Sequence, residues 1–289
     1  MKQQKSFKHM ERGKLYLVPT PIGNLEDMTF RSVKILKEVN IIASEDTRNT
    51  KKLLNHFDIS TKQISLHEHN VAERVPELIE MLKEGQTIAQ VSDAGMPSIS
   101  DPGHELVIKA ISEDIDVISL PGASAGITAL IASGIAPQPF TFYGFLPRKN
   151  NEQKNALQTL KNMESALIFY ESPHRIAKTL ANMKEVFGET RQAVLCRELT
   201  KLYEEYTRGT IGSLLEFFEE QTIKGECCLI IEGFDPSQET NSLEENLTPM
   251  EHVNLLINEM GFTSKEAIKE VAKIRGLKKQ VVYKEFHGE

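Results

Sequence analysis

From Lys14 onward the sequence alternates short β-branched runs with amphipathic helical stretches, and this alternation restricts the chain to an α/β fold with a mostly parallel sheet. Candidate strands fall at 14–18, 40–43, 87–92 and 116–120. The stretch 73–84 between them sets Val75, Leu78, Ile79 and Leu82 on one helical face and stops before Gly85, as scaffold helices do. After Pro121-Gly122 a helix through 127–131 leads to a second series of strands at 140–144, 166–170, 193–196, 206–209 and 227–232. Two of these lie close together near 195–209, which predicts some antiparallel pairing in the second half.

A length of 289 residues is more than one typical domain, and the pattern divides it. The expected organisation is a basic tail at 1–13, an α/β domain at 14–122, a second at 123–234, an acidic linker at 235–247 and a helical domain at 248–289. Residues 232–251 hold six acids, two prolines and no Lys or Arg, the composition of a linker. Beyond it, Thr248-Pro-Met-Glu251 and Thr263-Ser-Lys-Glu266 are capping boxes, with stops at Gly261 and Gly276 and a third helix over 277–286. Ile268, Val271, Ile274, Leu277, Val281 and Val282 supply its core, in the manner of a helix-turn-helix. Such a unit is either a packing module or an RNA contact.

Charge bears on that choice. Net charge is -7, against nonspecific coating of nucleic acid, yet residues 1–14 carry five bases to one acid and 261–289 seven to four. Attraction to a polyanion is therefore concentrated at the two ends, unless both are ordinary solvated termini. No apolar run approaches the roughly 18 residues of a membrane span, and Met1-Lys-Gln-Gln-Lys-Ser6 lacks the apolar segment of a signal peptide, so no membrane contact and a cytoplasmic location are expected. Cys196, Cys227 and Cys228 read as buried strand thiols, since an adjacent pair in an apolar run suits neither a metal site nor a disulfide framework. No Walker loop, no G-x-G-x-x-G after the first strand and no H-E-x-x-H helix is present.

Ligands of open α/β sheets bind beyond the carboxyl ends of the strands, which directs attention to the loops. Val18-Pro-Thr-Pro-Ile-Gly-Asn-Leu25 is either a rigid backbone platform or a plain tight turn. Ser44-Glu-Asp-Thr-Arg48 places Arg48 beside Glu45 and Asp46, ready for a phosphate or ribose, although Asp-Thr also serves as a helix cap. Asp93-Ala-Gly-Met-Pro-Ser-Ile-Ser-Asp-Pro-Gly103 joins small residues, two prolines and exposed backbone, a cradle for a flat ligand. Pro121-Gly-Ala-Ser-Ala-Gly126 permits close approach at a helix N-terminus, and Glu171-Ser-Pro-His-Arg175 brings His174 and Arg175 toward the cleft.

These motifs, with Gly144-Phe-Leu-Pro147, Arg197-Glu-Leu-Thr-Lys201 and Lys224-Gly-Glu226, run in order through residues 14–234. The chain thereby resembles the tetrapyrrole methylase superfamily, in particular its branch of cytidine-2′-O-methyltransferases acting on small-subunit ribosomal RNA. The resemblance implies two α/β domains with S-adenosylmethionine in the cleft between them, a homodimer, no metal, and methyl transfer to a cytidine ribose at the decoding centre. It also implies cofactor contacts from Pro19, from Asp93, Ala94, Gly95, Pro97, Ser98 and Ile99, from Ser124 and Ala125, and from Phe169, Tyr170, Leu199, Gly225 and Glu226. Met96 stands where a small residue is expected, a change that a main-chain contact tolerates.

Methyl transfer to a ribose requires alignment and management of one proton. Asp46 or Glu171 is the candidate base and Arg48, Arg175 or Lys201 the candidate cation, with His67 and His69 as further choices. Two rivals remain open at this level. One is a tetrapyrrole methyltransferase of the same fold, against which the first loop argues, because ring methylases carry a glycine- and aspartate-rich one there. The other is a non-catalytic RNA-binding assembly factor.

Overall fold

The computed structural model describes residues 3–6, 13–219, 221, 223–237 and 247–287. Parts of the expected N-terminal tail and most of the expected linker thus lie outside the described residues. The chain divides into two compact units, Met1–Gly233 and Phe234–Glu289, and both sheets belong to the first.

The first sheet contains β1 (Lys14–Leu17), β2 (Ile41–Ser44), β3 (Lys62–Ser65), β4 (Ile88–Val91) and β5 (Asp116–Ser119), in the order β3-β2-β4-β1-β5. All of its pairings are parallel. Every residue of β2 and β4 is buried, because both faces of these central strands are covered. One face packs Leu15, Ile41 and Ile88 against Leu78, Leu82 and Leu106 of the helices Val71–Lys83 and Gly103–Ser112. The other packs Ile42, Ala89 and Ile118 against Leu36 and Leu54 of the helices Phe30–Glu38 and Thr47–His56. Full burial of one such aliphatic side chain contributes about 1.5–3 kcal/mol. Strand β3 was not foreseen in the sequence: Lys62-Gln-Ile-Ser65 has a single strong apolar residue, as befits a half-exposed edge strand.

The second sheet contains β6 (Phe140–Phe145), β7 (Ala166–Glu171), β8 (Gln192–Arg197), β9 (Glu205–Thr210) and β10 (Cys227–Ile231), in the order β6-β7-β10-β8-β9. Only β6 and β7 are parallel, and the remaining three pairings are antiparallel, so the expected mixture is present. Its outer face buries Leu167, Phe169, Leu195 and Leu229 under Leu157, Leu180 and Leu214. Its inner face, Ile168, Val194, Cys196, Cys228 and Ile230, meets Ala129 and Leu130 of the helix Ala125–Ser133 and Ile22 from the loop after β1. That last contact brings the first sheet's carboxyl-end loops to the second sheet's inner face.

The second unit has three helices, Pro249–Met260, Ser264–Ile274 and Lys279–His287, around Val253, Leu256, Ile268, Val271 and Val282. Both expected capping boxes are formed, Thr248 with Glu251 and Thr263 with Glu266. Gly261 ends the first helix at φ 70°, a left-handed geometry that glycine adopts without strain.

Candidate functional site

A cleft of about 630 Å³ lies between the carboxyl-end loops of the first sheet and the inner face of the second. The loop after β1 and the loop after β4 close one wall by pairing with each other. Thr20 and Gly95 exchange two backbone hydrogen bonds, each 3.0 Å, and the Thr20 hydroxyl donates to the Ser92 carbonyl at 3.1 Å. Asp101 then fixes the far end of the β4 loop, accepting from the Ser98 N–H at 2.6 Å and the Gly103 N–H at 2.9 Å. Ser98 is held at φ 68°, a conformation that costs a non-glycine residue energy, and the Gln90 amide donates to its hydroxyl at 2.9 Å.

The loop after β2 is tied to the same wall. Asp93 accepts from the Asp46 N–H at 3.1 Å and from the Asn49 side chain at 3.0 Å, while its own N–H donates to Glu45 Oε2 at 3.2 Å. Two adjacent acids here differ sharply. Glu45 lines the cleft, and burial raises its carboxyl above the usual range, opposed by the Asp93 N–H and reinforced by the charges of Asp93, Asp101 and Asp46. Asp46 lies outside the lining; the Arg48 side chain and backbone hydrogen-bond to it and hold its carboxyl down to about 2. Arg48 itself grips Asp46 through Nη2 at 2.7 Å and is 87% exposed.

The opposite wall is made of strand side chains. Ile168 and Tyr170 of β7 face the cleft, and Phe142 and Phe145 of β6 stand beside them, with ring centroids 5.0 Å and 5.6 Å from Tyr170. A register shift between Phe142 and Gly144 puts both aromatics on the same side, which plain alternation would not do. The Tyr170 hydroxyl accepts from the Gly126 N–H at 3.1 Å, and burial raises its pKa. Cys196, Cys227 and Cys228 complete the wall as free thiols. Burial pushes Cys196 up to about 12 and Cys227 to about 11, and raises Cys228 too, so none is a thiolate at neutral pH.

At the third side, Glu198 accepts from the Glu226 N–H at 2.8 Å and from Lys201 Nζ at 2.9 Å, and these bonds lower its pKa. Gly225, at φ 95°, leaves room for this: a β-carbon there would come within 2.4 Å of the Glu198 carboxylate. Lys201 also reaches Glu226 Oε2 at 3.1 Å, and its stem lies so close to Gly23 that a β-carbon would meet it at 2.4 Å. The first loop and the β8–β9 loop therefore touch across the cleft mouth.

Of the residues singled out from sequence, Ala94, Gly95, Ile99, Ser124, Ala125, Tyr170, Glu171, Leu199, Gly225 and Glu226 line the cleft together. Pro19, Asp93, Pro97 and Ser98 belong to the loops that form its wall without being among its lining residues, and Pro19 packs on Gly122. Phe169 points the other way, into the outer core. Glu171 is buried with both oxygens occupied: Oε1 accepts from the Ser172 N–H, Oε2 from the Thr179 hydroxyl, each at 2.7 Å. Arg175 lies 3.4 Å from Glu171 and donates to the Leu146 and Pro147 carbonyls. His67 and His69 face each other at 6.0 Å after β3 and are not lining residues; His174 is exposed at a helix start. Sequence reasoning missed Phe142, Phe145, Asp101 and the part of Glu45 in the cleft. Only Asp101 had a signal, an acid two residues before the glycine that starts a helix, where an Asp side chain makes an Asx turn.

The walls suit an adenosyl ligand: apolar surface from Ile22, Ile168, Phe142 and Leu199 for a flat base, main-chain groups at 94–101 for its polar edge, and a volume within the range of small-molecule sites. Residues 14–215 match the family described as Tetrapyrrole (Corrin/Porphyrin) Methylases. Over 99% of both chains, the sequence is 56% identical to ribosomal RNA small subunit methyltransferase I of Streptococcus pyogenes serotype M3 (strain ATCC BAA-595 / MGAS315). It is 54% identical to the protein of that name from Halalkalibacterium halodurans, over 100% of both. Among solved structures, uroporphyrin-III C-methyl transferase from Thermus thermophilus complexed with S-adenyl homocysteine superposes with TM-score 0.55 at 14% identity, over 76% of this chain and 97% of that one.

Proposed function

Because the chain belongs to the tetrapyrrole methylase family, we propose that it is an S-adenosylmethionine-dependent methyltransferase that acts on the 2′-hydroxyl of a cytidine in small-subunit ribosomal RNA. One observation carries this reading above the rivals: the likeness to small-subunit RNA methyltransferases runs end to end, second helical unit included, whereas the likeness to the uroporphyrin enzyme covers 76% of the chain. When bound, S-adenosylmethionine supplies an activated methyl group. Contacts to it are assigned to Pro19, Asp93, Ala94, Gly95, Pro97, Ser98, Ile99, Ser124, Ala125, Tyr170, Leu199, Gly225 and Glu226, those outside the lining acting through backbone or by shaping the loops; Phe169, turned into the outer core, supports the wall from behind.

The protein's own work is then to align the ribose and accept one proton. Glu45 is assigned as the base. Its place in the lining and its raised pKa support this, while Asp46 is locked by Arg48 and Glu171 by Thr179, Ser172 and Arg175. Arg48 is assigned to the RNA backbone, and Lys201 and Arg175 to holding the walls. The protein is taken to work in the cytoplasm as a homodimer; among the described residues no helix is long and apolar enough to cross a membrane.

Purified protein given labelled S-adenosylmethionine should methylate small ribosomal subunits and leave precorrin-type rings unlabelled. Label in the ring would establish the first rival, and no S-adenosylmethionine binding by calorimetry the second. Truncation before Thr248 should weaken subunit binding with cofactor affinity intact; unchanged subunit binding would remove the second unit from recognition.

A further inference from the structure

The two faces of the parallel sheet carry different charge. The helices Phe30–Glu38 and Thr47–His56, which cover one face, hold Arg31, Lys34, Lys37, Arg48, Lys51 and Lys52 against Glu38 as their one acid, and all six cations are exposed. The helices Val71–Lys83 and Gly103–Ser112 on the other face carry four acids and three bases. In a chain of net charge -7 this is a local reversal of sign. Phe30 stands in its midst, 98% exposed. It edges a depression lined by Met28, Val33 and Phe57, with Lys34, Lys37 and Glu38 around it and Lys34 Nζ 3.9 Å from the Glu38 carboxylate. Isolated apolar residues on a surface are ordinary, but an exposed aromatic ring beside an apolar hollow, with two lysines to one glutamate at its rim and four more cations on the same two helices, suits a nucleobase and its phosphates.

We propose that this depression is a second RNA contact, in which Phe30 stacks on an unpaired base of the substrate while Lys34 and Lys37 meet the adjoining phosphates. The inference rests on the reading of small-subunit RNA as substrate. Phe30 follows Ile22 of the cleft wall by eight residues, so the contact lies at most about 29 Å from it along the chain, within the same bound RNA segment. Charge favours RNA over a second copy of this protein as the occupant. A twofold interface would set the same six cations against one another.

Methyl transfer to small subunits, compared for wild type and F30A, F30L and F30W, tests the proposal. F30A is expected to raise KM for the subunit roughly tenfold or more, leaving the cofactor Kd and the melting temperature unchanged. F30W should behave as wild type and F30L as F30A, since stacking needs a ring. The double variant K34Q/K37Q should lower the slope of log K against log salt by roughly 1.4. A wild-type KM in F30A or F30L overturns the proposal, as does loss of a dimer in sedimentation with subunit affinity unchanged. If wild type transfers no methyl group, the functional reading fails on its own. Binding of subunit RNA to wild type and F30A then decides the contact, equal binding overturning it.

Discussion

The two walls of the cleft are built on opposite plans. The wall from the parallel sheet is main chain, paired between Thr20 and Gly95 and held by polar side chains: Thr20 to Ser92, Glu45 to Asp93, Asp93 to Asp46, Asp101 to Ser98 and Gly103. The wall from the mixed sheet is side chain, Phe142, Phe145, Ile168, Tyr170, Cys196 and Cys228, resting on the inner face of a core. A loop wall presents fixed hydrogen-bonding groups and concentrates both chemistry and specificity. A strand wall presents bulk, and tolerates exchange of one apolar group for another.

The contrast breaks first at Glu45. Replacement by Gln should lower kcat about 100-fold or more, within the span for loss of a general base, with cofactor binding retained. In wild type, activity should fall on acidification through the raised pKa of Glu45, above the ordinary carboxylate range, and this limb should vanish in the variant. The sign for stability is the reverse. A carboxyl whose folded pKa is raised weakens the fold fully above that pKa, and the penalty shrinks as pH falls from there to the unfolded value, so E45Q should melt no lower than wild type at neutral pH. A lower melting temperature would mean that Glu45 acts as scaffold.

Next comes Asp101. D101A removes an acceptor shared by two N–H groups and should weaken S-adenosylmethionine binding by roughly ten- to a hundredfold in calorimetry, because Ser98 loses its reason to hold φ 68°. Equal affinity would show the loop to be self-supporting. Gly225 tests the junction of the walls. G225A meets both a positive φ and the Glu198 carboxylate, and should cost about 1–3 kcal/mol in denaturant unfolding. The smallest effect is expected from the strand wall: C228A should keep KM and kcat within about twofold and destabilise by about 1 kcal/mol. A larger kinetic change would make the thiol wall a participant.

The same contrast explains what could be read from sequence. Gly, Pro, Ser and Asp gathered past a buried strand declare a ligand loop, so residues 93–103 were visible at once, as were the capping boxes of the last helices. Phe142 and Phe145 were not, because the irregularity at Tyr143 cancels the period of two on which facing is judged. Glu45 and Asp46 are adjacent acids whose order says nothing of which one enters the cleft; backbone bonds to Asp93 decide it. Strand β3 escaped because its partner β2 supplies most of the apolar contact at that edge.

Strand β4 lies between β1 and β2, although both precede it in the chain. A nascent chain that has emerged through Ser65 therefore owns β1 and the β2–β3 pair, with a slot waiting between β1 and β2. The slot fills only when residues near Val91 are delivered, and Thr20 finds Gly95 at that same moment. Closure spans about 75 residues, a slow, long-range step. The cleft wall at Thr20 and Gly95 is thus among the last features of its sheet to form, and until then the open edges of β1 and β2 are exposed to aggregation.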